Sequence, residues 1–101
     1  MWLLVDDEKN IQCDIIVRTA HVAKIVLAGL HSELEGLYLD HDLGMDSSGL
    51  DVLKWAIQND MLPNSVQLIT MNPVGKKEME FCLRDAGYAL NYVTQIWHKK
   101  S

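Results

Sequence analysis

The chain alternates short apolar runs with amphipathic stretches from end to end. Trp2-Leu3-Leu4-Val5 is a continuous apolar run stopped by Asp6, the pattern of a strand buried on both faces. Asp14-Ile15-Ile16-Val17-Arg18 is a second, β-branched run. Thr19 then offers an N-cap to a helix with Ala23, Val26, Leu27 and Leu30 on one face. Leu37-Tyr38-Leu39 predicts a third strand, closing on Asp40. After a turn at 44–48, where Asp46 reads as turn chemistry, Ser48 and Asp51 have capping-box spacing for a helix that buries Leu50, Leu53 and Ile57. Pro63 and Asn64 break that helix, and residues 66–70 predict a fourth strand. Asn72-Pro73 reads as an N-cap followed by proline at the first helical position, with Met79, Cys82, Leu83 and Ala86 as the apolar stripe and Gly87 as the stop. For residues 92–97, β-propensity favours a fifth strand over an irregular segment packed on an edge.

Strands alternating with helices predict an α/β fold, a mainly parallel sheet of four or five strands with helices on both faces. One connection is irregular. Only about eight residues separate the first two runs, fewer than a helical crossover needs. Either the first helix is missing and an extended loop replaces it, or that strand pair is antiparallel.

Composition narrows the function classes. A chain of 101 residues that is 49% hydrophobic is read as one small domain over 1–101. A net charge of −5 argues against an extended nucleic-acid surface, though a local cationic site for a small anion stays open. Cys13 and Cys82 lie far apart without CxxC spacing and read as reduced thiols. Trp2, Trp55 and Trp97 sit in separate elements and read as packing residues rather than a base-stacking platform. The apolar start is too short for a signal peptide or a membrane span, so the expectation is a cytoplasmic protein with no membrane partner.

In parallel sheets ligands gather beyond the carboxyl ends of the strands, which places Asp6, Asp7, Asp40, Asp42 and Thr70 along one rim. Single loop aspartates often do no more than cap helices. Two clusters at neighbouring strand ends are different, because crowded carboxylates repel unless protonated or bound to a cation. Oxygen donors of this kind suit Mg²⁺ or Mn²⁺, which keep several waters and accept a phosphate oxygen. Strand alternation puts Asp40 and Asp42 on one side and His41 on the other, where it is either a hydrogen-bonded surface residue or a general acid or base. The helix start at 72–77 is the cationic complement. Asn72, Gly75, Lys76 and Lys77 gather around free backbone N–H groups that favour an anion.

The acidic pair after the first strand, the aspartate ending the third and Thr70 after the fourth together resemble the receiver domain of two-component response regulators. There the acidic residues bind Mg²⁺ and the third-strand aspartate accepts a phosphoryl group, which would assign Asp6, Asp7 and Asp40 to that site and Thr70 to the switch hydroxyl. The family's lysine after the fifth strand has no counterpart. A closer resemblance is to the cyclic-phosphate processing receiver domains, compact receiver-like proteins of bacteria and their phages. It rests on Leu4-Val5-Asp6-Asp7-Glu8, Val17-Arg18-Thr19-Ala20, Leu39-Asp40-His41-Asp42-Leu43-Gly44 with Gly49-Leu50-Asp51-Val52-Leu53, and Met71-Asn72-Pro73-Val74-Gly75, and it runs to about Leu83.

This resemblance implies a flavodoxin-like sheet of order 2-1-3-4, with any fifth strand beyond β4. It also implies a metal site turned toward binding or hydrolysing a cyclic phosphate or nucleotide. Asp6, Asp7, Asp40 and Asp42 would hold Mg²⁺ or Mn²⁺. Asp40, His41 and Asn72 would be catalytic, and Arg18, Thr70, Asn72, Gly75, Lys76 and Lys77 would contact the phosphate. Two other readings stand beside a metal-dependent phosphoesterase. One is a non-enzymatic module that binds a protein partner or sequesters a nucleotide, in a bacterial cytoplasm or, if phage-encoded, in the host. The other is an ordinary phosphoacceptor at Asp40.

Overall fold

The computed structural model describes residues 1–44 and 47–100, so Asp46 lies outside the described residues. The elements are β1 (Trp2–Val5), β2 (Ile15–Val17), α1 (Ala20–Leu30), β3 (Gly36–Leu39), α2 (Gly49–Gln58), β4 (Ser65–Leu68), α3 (Pro73–Asp85), β5 (Tyr88–Asn91) and β6 (Ile96–Lys99). They build one sheet of order β2-β1-β3-β4-β6-β5, in which β2, β1, β3 and β4 are parallel and β6 is antiparallel to both its neighbours.

All three helix starts follow the local chemistry read from the sequence. Thr19 and Asn72 accept a hydrogen bond from the amide three residues on, and Ser48 with Asp51 forms a complete capping box. Pro73 occupies the first helical turn, and Gly87, at φ +92°, ends α3 in the left-handed region. Replacing Ser48 with alanine is expected to lower stability by about 1 kcal/mol, read as a shifted urea midpoint with unchanged slope. The buried face of α2 is centred on Val52, Leu53 and Ala56, while Leu50 and Ile57, expected at its centre, are only partly buried at its margins.

The first two strands are parallel, with Leu3 opposite Ile15 and Val5 opposite Val17. No helix joins them. A strand of four residues is retraced in roughly 13 Å, and residues 6–14, extended, would span roughly 30 Å. An irregular loop is therefore long enough.

That loop explains a correction to the expectation of helices on both faces. Helix α1 packs on α2 and α2 on α3. All three press on the sheet face that presents Leu3, Val5, Val17, Leu37, Leu39, Val66, Leu68 and Trp97. Parallel crossovers are right-handed, so the direction of travel across the sheet decides which face a crossover covers. From β2 onward the crossovers travel one way. The β1–β2 link alone travels the other way, and among the described residues it carries no helix. The opposite face is closed by side chains instead. Trp2 lies against Tyr38 with ring centroids 4.7 Å apart and spreads over Gly36, where any Cβ would strike the indole.

The tail also departs from the expected fifth strand at 92–97. Residues 88–99 form a hairpin, and β6 inserts between β4 and β5. Asn91 makes the turn, its Oδ1 accepting the amides of Val93 (2.9 Å) and Thr94 (3.2 Å), with Gln95 at φ +62°. Propensity counted the β-branched residues of the turn as strand. Trp97 from this hairpin is buried in the core, with Arg84 stacked 5.0 Å from its ring centroid. Cys13 and Cys82 are free and half-buried. Among the described residues no helix is long and apolar enough to cross a membrane.

Candidate functional site

Strands β1 and β3 are hydrogen-bonded in register and end together, so the residues that follow them meet on one rim. The Asp6 amide donates to Val17 O (3.2 Å) and the Asp40 amide to Val5 O (3.0 Å), which extends the ladder by one residue on each strand. Both side chains are consequently buried, Asp6 to 1% exposure and Asp40 to 9%. Asp7 is exposed beside them. Each of Asp6, Asp7 and Asp40 offers a carboxylate oxygen, and the three oxygens lie within 4.8 Å of one another.

The two oxygens of Asp6 have different surroundings. Oδ1 accepts the amides of Glu8 (2.8 Å) and Lys9 (3.0 Å), whereas Oδ2 is buried with no hydrogen-bond partner. A buried carboxylate oxygen without a partner is costly and rare in a folded protein. Asp40 Oδ1 accepts the His41 amide at 2.8 Å. Burial pushes the Asp40 carboxyl above its ordinary value and the charge of Asp6 pushes it further. The His41 amide, the Thr70 hydroxyl and the Lys9 ammonium oppose the shift without cancelling it. Three crowded acid groups, one under electrostatic stress and one with an orphaned oxygen, form a donor set suited to a hard divalent cation.

The sequence reading placed Asp42 with Asp40, on strand alternation. The strand stops at Leu39, and Asp42 is instead bridged to Ser48 in a short antiparallel contact. Its side chain is exposed, outside the group of three, with Oδ1 3.0 Å from His41 Nδ1. The imidazole is mostly buried and rests on Gly75 in the first turn of α3, where a Cβ would collide with the ring. His41 is therefore fixed between its own neighbour and a helix start. The contact with Asp42 is made through Nδ1, and Nε2 has no hydrogen-bond partner among the described residues.

Thr70 is buried just past β4, and its Oγ1 accepts the Asn72 amide at 3.1 Å. Asn72 Oδ1 in turn accepts the Gly75 amide at 3.1 Å. The cations read from the sequence are distributed differently. Arg18 spends its guanidinium on the β1–β2 loop, donating to Lys9 O (2.6 Å), Asp6 O (3.3 Å) and Asn10 Oδ1 (2.6 Å). Arg18→Met is expected to loosen residues 6–10, seen as faster amide exchange of Glu8 and Lys9 while the strands keep their protection. Lys77 lines a groove of about 400 Å³ between α2 and α3 with Leu50 and Phe81, and Lys76 is half-buried in the first turns of α3.

One cation at the rim was not anticipated. Lys9 donates from Nζ to Ile69 O at 2.9 Å, across β3 to the end of β4. In the sequence it belonged to a link of unknown course. The link leaves β1 at the rim, but its course from there was not legible, and the one local signal was the place of Lys9 three residues after an aspartate that turns the chain.

A family model described as the cyclic-phosphate processing receiver domain matches residues 1–85. The match spans β1 to the end of α3, including every residue of the rim, and stops before the β5–β6 hairpin. No curated protein and no solved structure matches the chain.

Proposed function

The chain belongs to the cyclic-phosphate processing receiver domain family, and on that premise we propose that it binds a cyclic phosphate at the rim of β1, β3 and β4 and hydrolyses it with a divalent cation. The observation that carries this reading is the orphaned, buried Oδ2 of Asp6 within a group of three carboxylates. Asp6, Asp7 and Asp40 would hold Mg²⁺ or Mn²⁺. Such an ion, when bound, polarises a phosphoryl oxygen and lowers the pKa of a water it carries.

The remaining work falls to the chain's own side chains. Thr70 offers a hydroxyl, and the positive end of α3, where the amides of Asn72 and Gly75 are already taken by Thr70 Oγ1 and Asn72 Oδ1, attracts phosphate oxygens through its dipole. His41 protonates the leaving oxygen from Nε2, and Asp42 holds its tautomer. Asn72 acts by shaping the helix start.

The test is to incubate the protein with Mg²⁺ or Mn²⁺ and a panel of 3′,5′- and 2′,3′-cyclic mononucleotides and cyclic dinucleotides, beside Asp40→Asn. Turnover of at least one compound by the wild type only, abolished by EDTA, is expected. Turnover by neither protein removes the hydrolytic reading, and metal-dependent binding without turnover selects the binding module instead. His41→Asn is expected to lower turnover by about 10²-fold or more with little change in substrate affinity. An intact-mass gain after treatment with a small phosphodonor in Mg²⁺ would instead favour the phosphoacceptor reading.

A further inference from the structure

Charge at the rim poses a problem that the three carboxylates do not solve. They carry one more negative charge than a divalent cation neutralises, so a loaded rim would still repel an anionic phosphodiester. Neither Arg18, committed to loop acceptors, nor Lys77, in the α2–α3 groove, relieves that repulsion. We propose that Lys9 does, as the residue whose ammonium group binds the anionic oxygen of the phosphate ligand at this rim. The proposal rests on the cation-dependent reading above and adds to it the residue that makes the rim accept an anion.

Three features place Lys9 for this task. Its backbone is fixed independently of its side chain, the amide donating to Asp6 Oδ1 at 3.0 Å and the carbonyl accepting from Arg18 at 2.6 Å. Its ammonium sits on Ile69 O at 2.9 Å, one residue before Thr70. An ammonium has three donors, and Ile69 takes one in an exposed setting, so the others face water and are open to a ligand oxygen. The group is also near enough to the carboxylates for its charge to act on Asp40. Asp6 thus has two functions through two oxygens. Oδ1 organises the turn that presents Lys9, and the unpartnered Oδ2 is left for a cation.

The experiment measures Mg²⁺ affinity, then the affinity of the Mg²⁺-loaded protein for inorganic phosphate and for a 2′,3′-cyclic mononucleotide, in wild type, Lys9→Met and Lys9→Arg. Lys9→Met is expected to weaken phosphate and nucleotide binding by about 10- to 100-fold, the worth of one charge-assisted hydrogen bond. Mg²⁺ binding should stay equal or tighten, because a nearby positive charge is gone. Lys9→Arg should recover part of the anion affinity. The fold tolerates both changes, since the backbone tethers remain and Ile69 O can turn to water; unchanged melting in EDTA checks this. Phosphate affinity within twofold of wild type in Lys9→Met would overturn the role of Lys9 while leaving the cation site standing. Loss of Mg²⁺ and phosphate binding together in Lys9→Met would also overturn it. A wild type that binds no Mg²⁺ would overturn the underlying reading and this inference with it.

Discussion

Replacing Asp40 with asparagine will raise the melting temperature of the metal-free protein and abolish the further rise that Mg²⁺ or Mn²⁺ gives the wild type. Without a cation, Asp40 is destabilised as a carboxylate by burial first and by Asp6 second. A carboxyl whose folded pKa is raised favours the fold when protonated. That contribution is present at acid pH and is lost as pH rises from the ordinary value of 3.8 through the raised one. In EDTA, wild-type stability should therefore carry a falling component above pH 3.8 that Asp40→Asn lacks. The amide keeps an oxygen for the His41 amide and offers an N–H to the acid groups beside it. The cation effect runs the other way. At a metal concentration 100 times Kd the wild type gains about 2.7 kcal/mol, which is about 10 °C or more for a chain of this size. Differential scanning fluorimetry with and without metal reads both effects.

Gly49→Ala is the second change with a large expected effect. Helix propensity alone predicts a gain of up to about 1 kcal/mol from alanine at a helical glycine. At Gly49, however, a Cβ would fall on the carbonyl oxygen of Asp40, and the amide of Gly49 already donates to His41 O at 2.7 Å. Both clashing parties are backbone and neither can turn aside. Overpacking of this kind costs about 3 kcal/mol, which reverses the sign. The displaced segment carries Asp40 and His41, so cation affinity should fall with stability. Gly29→Ala provides the control. It lies on the exposed face of α1 with nothing within 4 Å of a Cβ, and should stabilise by about 0.5–1 kcal/mol with cation binding unchanged. Urea unfolding of the two variants beside wild type separates propensity from sterics.

The elements were legible wherever one local signal decided them. Thr19, Ser48 and Asn72 announced three helix starts, because a cap is a bond between residues a turn apart. The order β2-β1-β3-β4 followed from the family resemblance, with the sense of the β1–β2 pair left open, and the gathering of Asp6, Asp7 and Asp40 followed from apolar runs that end in acids at neighbouring strand ends. What escaped it depends on non-local geometry. The helix-free sheet face follows from the handedness of a crossover whose course the sequence did not reveal. The hairpin was hidden because Asn91 makes its turn with side-chain bonds that propensity does not count. Asp42 was assigned by alternation past the point where the strand ends, and Lys9 became visible only once its loop was known to cross the rim. His41 fell between these cases. Its position over Gly75 joins two motifs that lie far apart in the chain.

The most direct test of the central claim is a calorimetric titration of Mn²⁺ into metal-stripped protein at neutral pH. The arrangement of Asp6, Asp7 and Asp40 predicts saturable binding of one ion per chain, lost in Asp40→Asn and in Asp6→Asn. A wild type that shows no saturable binding at millimolar Mn²⁺, or variants that bind as it does, would contradict the account.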